Sequence, residues 1–113
     1  KSPWLMRYNV GDVHLTPVSH GEGRFVCSAE LLEKLERNGQ IATQYADLSG
    51  APSMDMDTNP NGSDWAVEGI TSPDGRIFGR MAHSERCREG LYKNVPGNYV
   101  NDFFRGAVDY FRL

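Results

Sequence analysis

Ser72-Pro73-Asp74-Gly75 constrains this chain more than any other feature, because it separates two runs of extended character, WAVEGITS (65–72) and RIFGRMA (76–82). Proline pre-sets the backbone for the first central position of a type I turn. Glycine supplies the left-handed residue at which a hairpin closes. The segment therefore predicts a β-hairpin, and the rest of the chain has to arrange its apolar residues around it.

Upstream, Val13 to Val18 has the β-branched and apolar residues of a strand, with Pro17 restricting it to an edge or an end. Gly21 and Gly23 bracket Glu22 in a turn, after which Arg24-Phe25-Val26 resumes an extended pattern. Ser28 is an N-cap for a helix whose apolar stripe is Ala29, Leu31, Leu32 and Leu35, and Asn38-Gly39 stops it. Ile41 to Ala46 reads as a further strand. Leu48 to Asp64, rich in Gly, Pro, Ser, Asn and Asp, reads as a long loop of the kind that is usually functional or covers something. Near the C-terminus, Val100, Phe103, Phe104, Ala107, Val108 and Phe111 fall on one wide helical face, with Asn98 as a candidate cap. Three or four strands with two helices make an α/β or α+β arrangement.

Composition narrows the function classes. The 113 residues allow one small domain, and 12 basic against 15 acidic residues leave a net charge of −3 without any basic stripe. That balance argues against nucleic-acid binding by phosphate neutralisation. No stretch approaches the length of a membrane span, so a cytoplasmic protein with neither nucleic-acid nor membrane partners is expected. Cys27 and Cys87 are too few for a disulfide framework and are expected to be free thiols.

The candidate chemistry lies just past the second hairpin strand, where His83-Ser84-Glu85-Arg86 follows a strand end. A carboxylate two residues from an imidazole can fold behind the ring and fix its tautomer if the chain bends. Cys27 stands between a strand and a helix but lacks the flanking glycines of a strained nucleophile elbow, so a structural thiol is the better reading. Cys87, four residues from His83, reads equally as a packed thiol. His14, His20 and Glu22 have the residue types of zinc ligands at a spacing that matches no closed site, and no metal is assigned. Asn59-Pro60-Asn61-Gly62-Ser63 by itself signals a turn.

In combination these segments carry a resemblance. PVSHGEGRFV (17–26), NGQIATQY (38–45), NPNGS (59–63), GRIFGRMAHSER (75–86) and LYKNVPGNY (91–99) resemble, in order and wording, the glutaminase part of phosphoribosylformylglycinamidine synthases. The wording is closest to the C-terminal end of the large single-chain type, in which MxHSER replaces the MPHPER common in other members. The resemblance implies a flavodoxin-like class I glutamine amidotransferase domain that hydrolyses glutamine through a Cys-His-Glu triad. The ammonia passes to the synthetase portion of the same enzyme, where ATP and Mg serve the amination of formylglycinamide ribonucleotide; no cofactor is expected in this segment. His83 is then the triad base and Glu85 its orienter. His20, Glu22 and Arg24, with Asn59, Asn61 and Ser63 of the second motif, are what mark this family off from other glutaminases. Polar groups held on tight turns without a local partner in sequence lead us to expect a role near the synthetase interface or the path of glutamine entry.

Nothing in Lys1 to Ser19 matches the family's cysteine elbow. The resemblance thus implies that residues 1–113 are the C-terminal half of a glutaminase domain, inactive alone and prone to self-association through a cut sheet edge. Two other readings stand beside it. One is a non-catalytic binding module of the same fold, and the other is a small hydrolase using His14, His20 and Glu22 as metal ligands.

Overall fold

The computed structural model describes residues 2–17, 23–87, 91, 93 and 102–112. Its centre is a three-stranded antiparallel sheet in the order β1 (Ile41–Gln44), β2 (Val67–Thr71), β3 (Phe78–Arg80). β2 lies in the middle and is buried along most of its length, with Val67 fully enclosed. Together with helices α1 (Ala29–Arg37) and α2 (Phe103–Phe111), the sheet forms a small α/β unit, the fold class expected from the sequence.

The hairpin forms as its turn chemistry dictates. β2 and β3 pair through Thr71↔Phe78, Ile70↔Gly79 and Gly69↔Arg80. The Gly75 amide donates to the Ser72 carbonyl at 2.9 Å, and Gly75 adopts φ +76°, a left-handed conformation that an L side chain resists. Asp74 tightens the turn by accepting from the Ser72 hydroxyl at 2.6 Å and the Arg76 amide at 3.1 Å. Those hydrogen bonds, the Ser72 hydroxyl first, hold the Asp74 carboxyl below the usual range.

α1 follows its sequence pattern. The Ser28 hydroxyl accepts from the Leu31 amide at 3.2 Å, a cap of about 1 kcal/mol. Leu32 and Leu35 face inward while Leu31 stays exposed, so the buried stripe is narrower than the apolar one.

α2 corrects its expected geometry. The helix begins at Phe103, with Asp102 at the N-cap and without a side-chain cap; Asn98 and Val100 fall outside the described residues. Only Phe103, Gly106 and Ala107 are buried, whereas Phe104, Val108 and Phe111 remain substantially exposed. The expected wide face is therefore half covered: among the described residues it packs chiefly on the 3-10 turn Pro3–Leu5, and β3 reaches it at Phe103. Trp4 stacks on Phe103 with ring centroids 5.1 Å apart, and Phe78 meets Phe103 edge-on at 4.9 Å. Burying Phe103 contributes about 1.5–3 kcal/mol, with a further 0.5–1.5 kcal/mol or so for each aromatic pair. The close approach depends on Gly106, where an added Cβ would lie 2.8 Å from the Trp4 carbonyl oxygen. The Trp4 indole also donates to the Arg76 carbonyl at 2.8 Å, which joins the N-terminal turn to the hairpin.

Residues 13–17 form no strand, a second correction; Val18, the last residue of the expected strand, lies outside the described residues. Pro17 lacks an amide to donate. The segment instead offers carbonyls sideways to the His83 turn: Pro17 accepts from the His83 amide at 3.0 Å.

Candidate functional site

His83 occupies the bend where β3 gives way to a 3-10 turn, Ser84–Arg86. The bend directs Glu85 back onto the ring, and His83 Nδ1 and Glu85 Oε1 are 2.6 Å apart. A carboxylate can only accept, so Nδ1 carries a proton, and in the neutral ring Nε2 then keeps its lone pair, the arrangement of a general base. The hydrogen bond from His83, ahead of backbone and charge contributions, holds the Glu85 carboxyl below its ordinary value. His83 is partly accessible and lies at the edge of an open cleft of about 400 Å³, walled on its other side by Trp4, Phe103 and Phe104.

Neither cysteine is prepared as a nucleophile. Desolvation, with help from Asp64, pushes the Cys27 thiol up, opposite to the activation a thiolate needs. Cys87 directs its Sγ at the Leu15 and His83 carbonyls, each at 3.7 Å, and thereby ties residues 15–17 to the His83 turn.

The Asn59–Ser63 motif forms a closed lock. Asn59 and Ser63 are both fully buried. Asn59 Oδ1 accepts from the Ser63 amide at 3.0 Å, and Asn59 Nδ2 donates to the Ser63 carbonyl at 3.1 Å. Ser63 Oγ then accepts from the Phe25 amide at 3.0 Å, while Arg24 Nε donates to the Gly62 carbonyl at 3.2 Å. Asn59 and Ser63 thus present no surface to a substrate and act by holding the neighbouring segment, whereas Asn61 is half-buried and Arg24 exposed. His20 and Glu22 lie outside the described residues, but the flanks of their segment do not: Pro17 meets the His83 turn and Phe25 meets the lock. His14 packs edge-on against Tyr8, with ring centroids 4.7 Å apart.

Three polar residues outside the set of candidate site residues lie directly behind the His83 turn. Thr43 Oγ1 donates to Glu68 Oε2 at 2.9 Å, and Arg80 donates to Glu68 Oε1 from Nε at 3.0 Å and from a terminal nitrogen at 2.6 Å. Arg80's other terminal nitrogen donates to Ser84 Oγ. The one signal in the sequence is Glu68 itself, an acid in an otherwise apolar strand that is nearly fully buried.

The family model for the CobB/CobQ-like glutamine amidotransferase domain matches residues 1–111. The chain belongs to this family. Similar curated proteins include phosphoribosylformylglycinamidine synthase subunits PurQ from three bacteria. The one from Synechococcus sp. (strain JA-3-3Ab) is 37% identical over 106 residues, covering 94% of this chain and 41% of the relative. That from Prochlorococcus marinus (strain NATL2A) is 35% identical over 100 residues, 88% of this chain and 41% of the relative. That from Thermomicrobium roseum is 40% identical over 87 residues, 77% and 36% respectively. The chain spans about two fifths of the length of the curated relatives it matches. In this family member, no helix among the described residues is long and apolar enough to cross a membrane.

Proposed function

We propose that this amidotransferase chain is part of the glutaminase of a phosphoribosylformylglycinamidine synthase, and that His83 and Glu85 are two members of its catalytic triad. The observation that carries the reading is the 2.6 Å His83–Glu85 contact at a strand end beside an open cleft, in a chain of this family. The thiolate comes from a cysteine other than Cys27 and Cys87, whose surroundings oppose ionisation or engage the sulfur elsewhere.

His83 Nε2 takes the proton of that thiol, and the thiolate attacks the glutamine carboxamide carbon. The tetrahedral intermediate collapses as the imidazolium returns its proton to the departing nitrogen, releasing ammonia and leaving a thioester. Water, deprotonated by the same imidazole, then cleaves the thioester to glutamate. Glu85 holds Nδ1–H throughout and stabilises the imidazolium each time it forms.

Ammonia passes to the synthetase portion, where ATP and Mg support amination of formylglycinamide ribonucleotide; no residue of this chain is assigned to either. The Met81–Arg86 wording supports a single polypeptide that joins glutaminase and synthetase, and the size of the native polypeptide tests that arrangement. In the full-length enzyme, His83→Ala is expected to abolish glutamine-dependent synthesis while ammonia-supported synthesis continues. Retained glutamine hydrolysis in that variant overturns the reading in favour of a binding module.

A further inference from the structure

Ser84 stands between the two catalytic candidates, so whatever fixes Ser84 fixes both of them. An exposed imidazole–carboxylate pair two residues apart has little to hold it: Glu85 is 56% exposed at its side chain, and exposed ion pairs are weak. The turn itself adds Arg86, an exposed side chain whose Nε lies 3.9 Å from the same Glu85 oxygen, at the outer limit of an ion pair.

What it has instead is a chain of buried hydrogen bonds that starts in the sheet. Thr43 on β1 fixes one oxygen of Glu68 on β2, and Arg80 on β3 takes the other with two of its three guanidinium nitrogens. The third nitrogen reaches Ser84 Oγ. Glu68 and Ser84 are each 6% exposed, and the guanidinium lies 5.0 Å from the Phe103 ring centroid. Every nitrogen of the guanidinium fork is thus engaged, two on Glu68 and one on Ser84, a geometry that only arginine can span.

We propose that Glu68 and Arg80 are positioning residues for the glutaminase reaction, holding Ser84 so that Glu85 stays on His83 Nδ1 and the imidazole faces its substrate in one orientation. This rests on the glutaminase reading above. The pair acts through Ser84 and touches no reacting atom. A buried ion pair by itself is weak support for stability. Its placement behind the one turn that carries the base and its orienter gives it a use in catalysis, where a misplacement of about 1 Å can cost around 100-fold.

The test uses the full-length enzyme. Ser84→Ala removes the last link and leaves the Glu68–Arg80 pair intact, and Arg80→Lys keeps the charge but not the fork. Both variants are expected to lower the glutamine-dependent kcat by about 10- to 100-fold at unchanged glutamine KM, with ammonia-supported synthesis unaffected. Both should also lose the 15N signature of the Nδ1–H tautomer of His83. Wild-type kcat in Ser84→Ala overturns the proposal, as does an equal loss of ammonia-supported synthesis, which would mark a general structural role. His83→Ala in the same assay separates the two claims: if it is inactive with glutamine while Ser84→Ala is not, the positioning role alone fails. If it is active, the glutaminase reading fails first.

Discussion

Asn59→Ala tests whether the Asn59–Ser63 motif is a lock rather than a contact surface. The asparagine side chain satisfies both backbone groups of Ser63, the amide at 3.0 Å and the carbonyl at 3.1 Å, at a site with no exposure. Removing it leaves the buried Ser63 amide without that partner, at about 1–3 kcal/mol, while the Ser63 carbonyl keeps the Ala66 amide at 3.1 Å. Some of that is recovered if water enters the space left by the side chain, so a total of about 2 kcal/mol is expected. Asn59→Asp should cost at least as much, because it keeps an acceptor for the Ser63 amide but loses the donor and buries a charge. Equilibrium denaturation of the full-length protein gives the magnitude, and hydrogen exchange gives its place. The Ser63 and Phe25 amides should lose protection together, since Ser63 Oγ is the acceptor for Phe25. A loss of stability under about 0.5 kcal/mol, or faster exchange at Ser63 alone, would refute the lock and return Asn59 to a role in recognition.

Two further outcomes follow from the geometry. Because the hydrogen bond from His83 depresses the Glu85 carboxyl below 4.5, the His83–Glu85 contact is fully present above that pH and is lost as pH falls through the lower folded value. In His83→Ala the Glu85 titration, followed by carboxyl carbon NMR, should move up towards 4.5, and an unchanged midpoint would show that the ring is not its partner. Gly106→Ala places a Cβ 2.8 Å from one backbone oxygen and 3.3 Å from another, neither of which can swing aside as a side chain would. Overpacking of about 1–3 kcal/mol there outweighs the gain of about 1 kcal/mol in helix propensity, so the variant should unfold earlier and expose Trp4 to solvent in its fluorescence.

What was legible in the sequence was what short-range chemistry decides. The Ser72–Gly75 turn, the Ser28 cap and the Asn38-Gly39 stop each depend on residues within a few positions, and each occurs where the sequence places it. The His83–Glu85 contact is local in the same sense, an i,i+2 pair at a bend. The failures are non-local. Residues 13–17 have strand composition, yet their carbonyls find partners in the His83 turn about seventy positions away. α2 has a face wide enough for a sheet, but it meets the Pro3–Leu5 turn, and helical periodicity carries no information about how large the partner is. Glu68 and Arg80 were invisible as a pair because, twelve positions apart, only the hairpin register brings them together.

The long loop and the His83 turn are mechanically one structure, because β2 begins where the lock ends. Immediately after Ser63 the chain makes a kink in which Trp65 and Ala66 adopt φ +51° and +55°, conformations that cost non-glycine residues about 1–3 kcal/mol each. That strain is sustained on both sides. Ser63 is clamped by Asn59 before it, and after it the Ala66 carbonyl accepts from the Tyr45 amide at 2.7 Å and the Trp65 carbonyl from Gln44 Nε2 at 2.7 Å. The kink sets the start of β2 and therefore the height at which Glu68, two residues on, meets Arg80. A loop of small and polar residues, which alone reads as a turn-rich connection, thus fixes through one strand the level of the guanidinium that holds Ser84. Its own side chains need touch neither glutamine nor the synthetase for its wording to matter to the reaction.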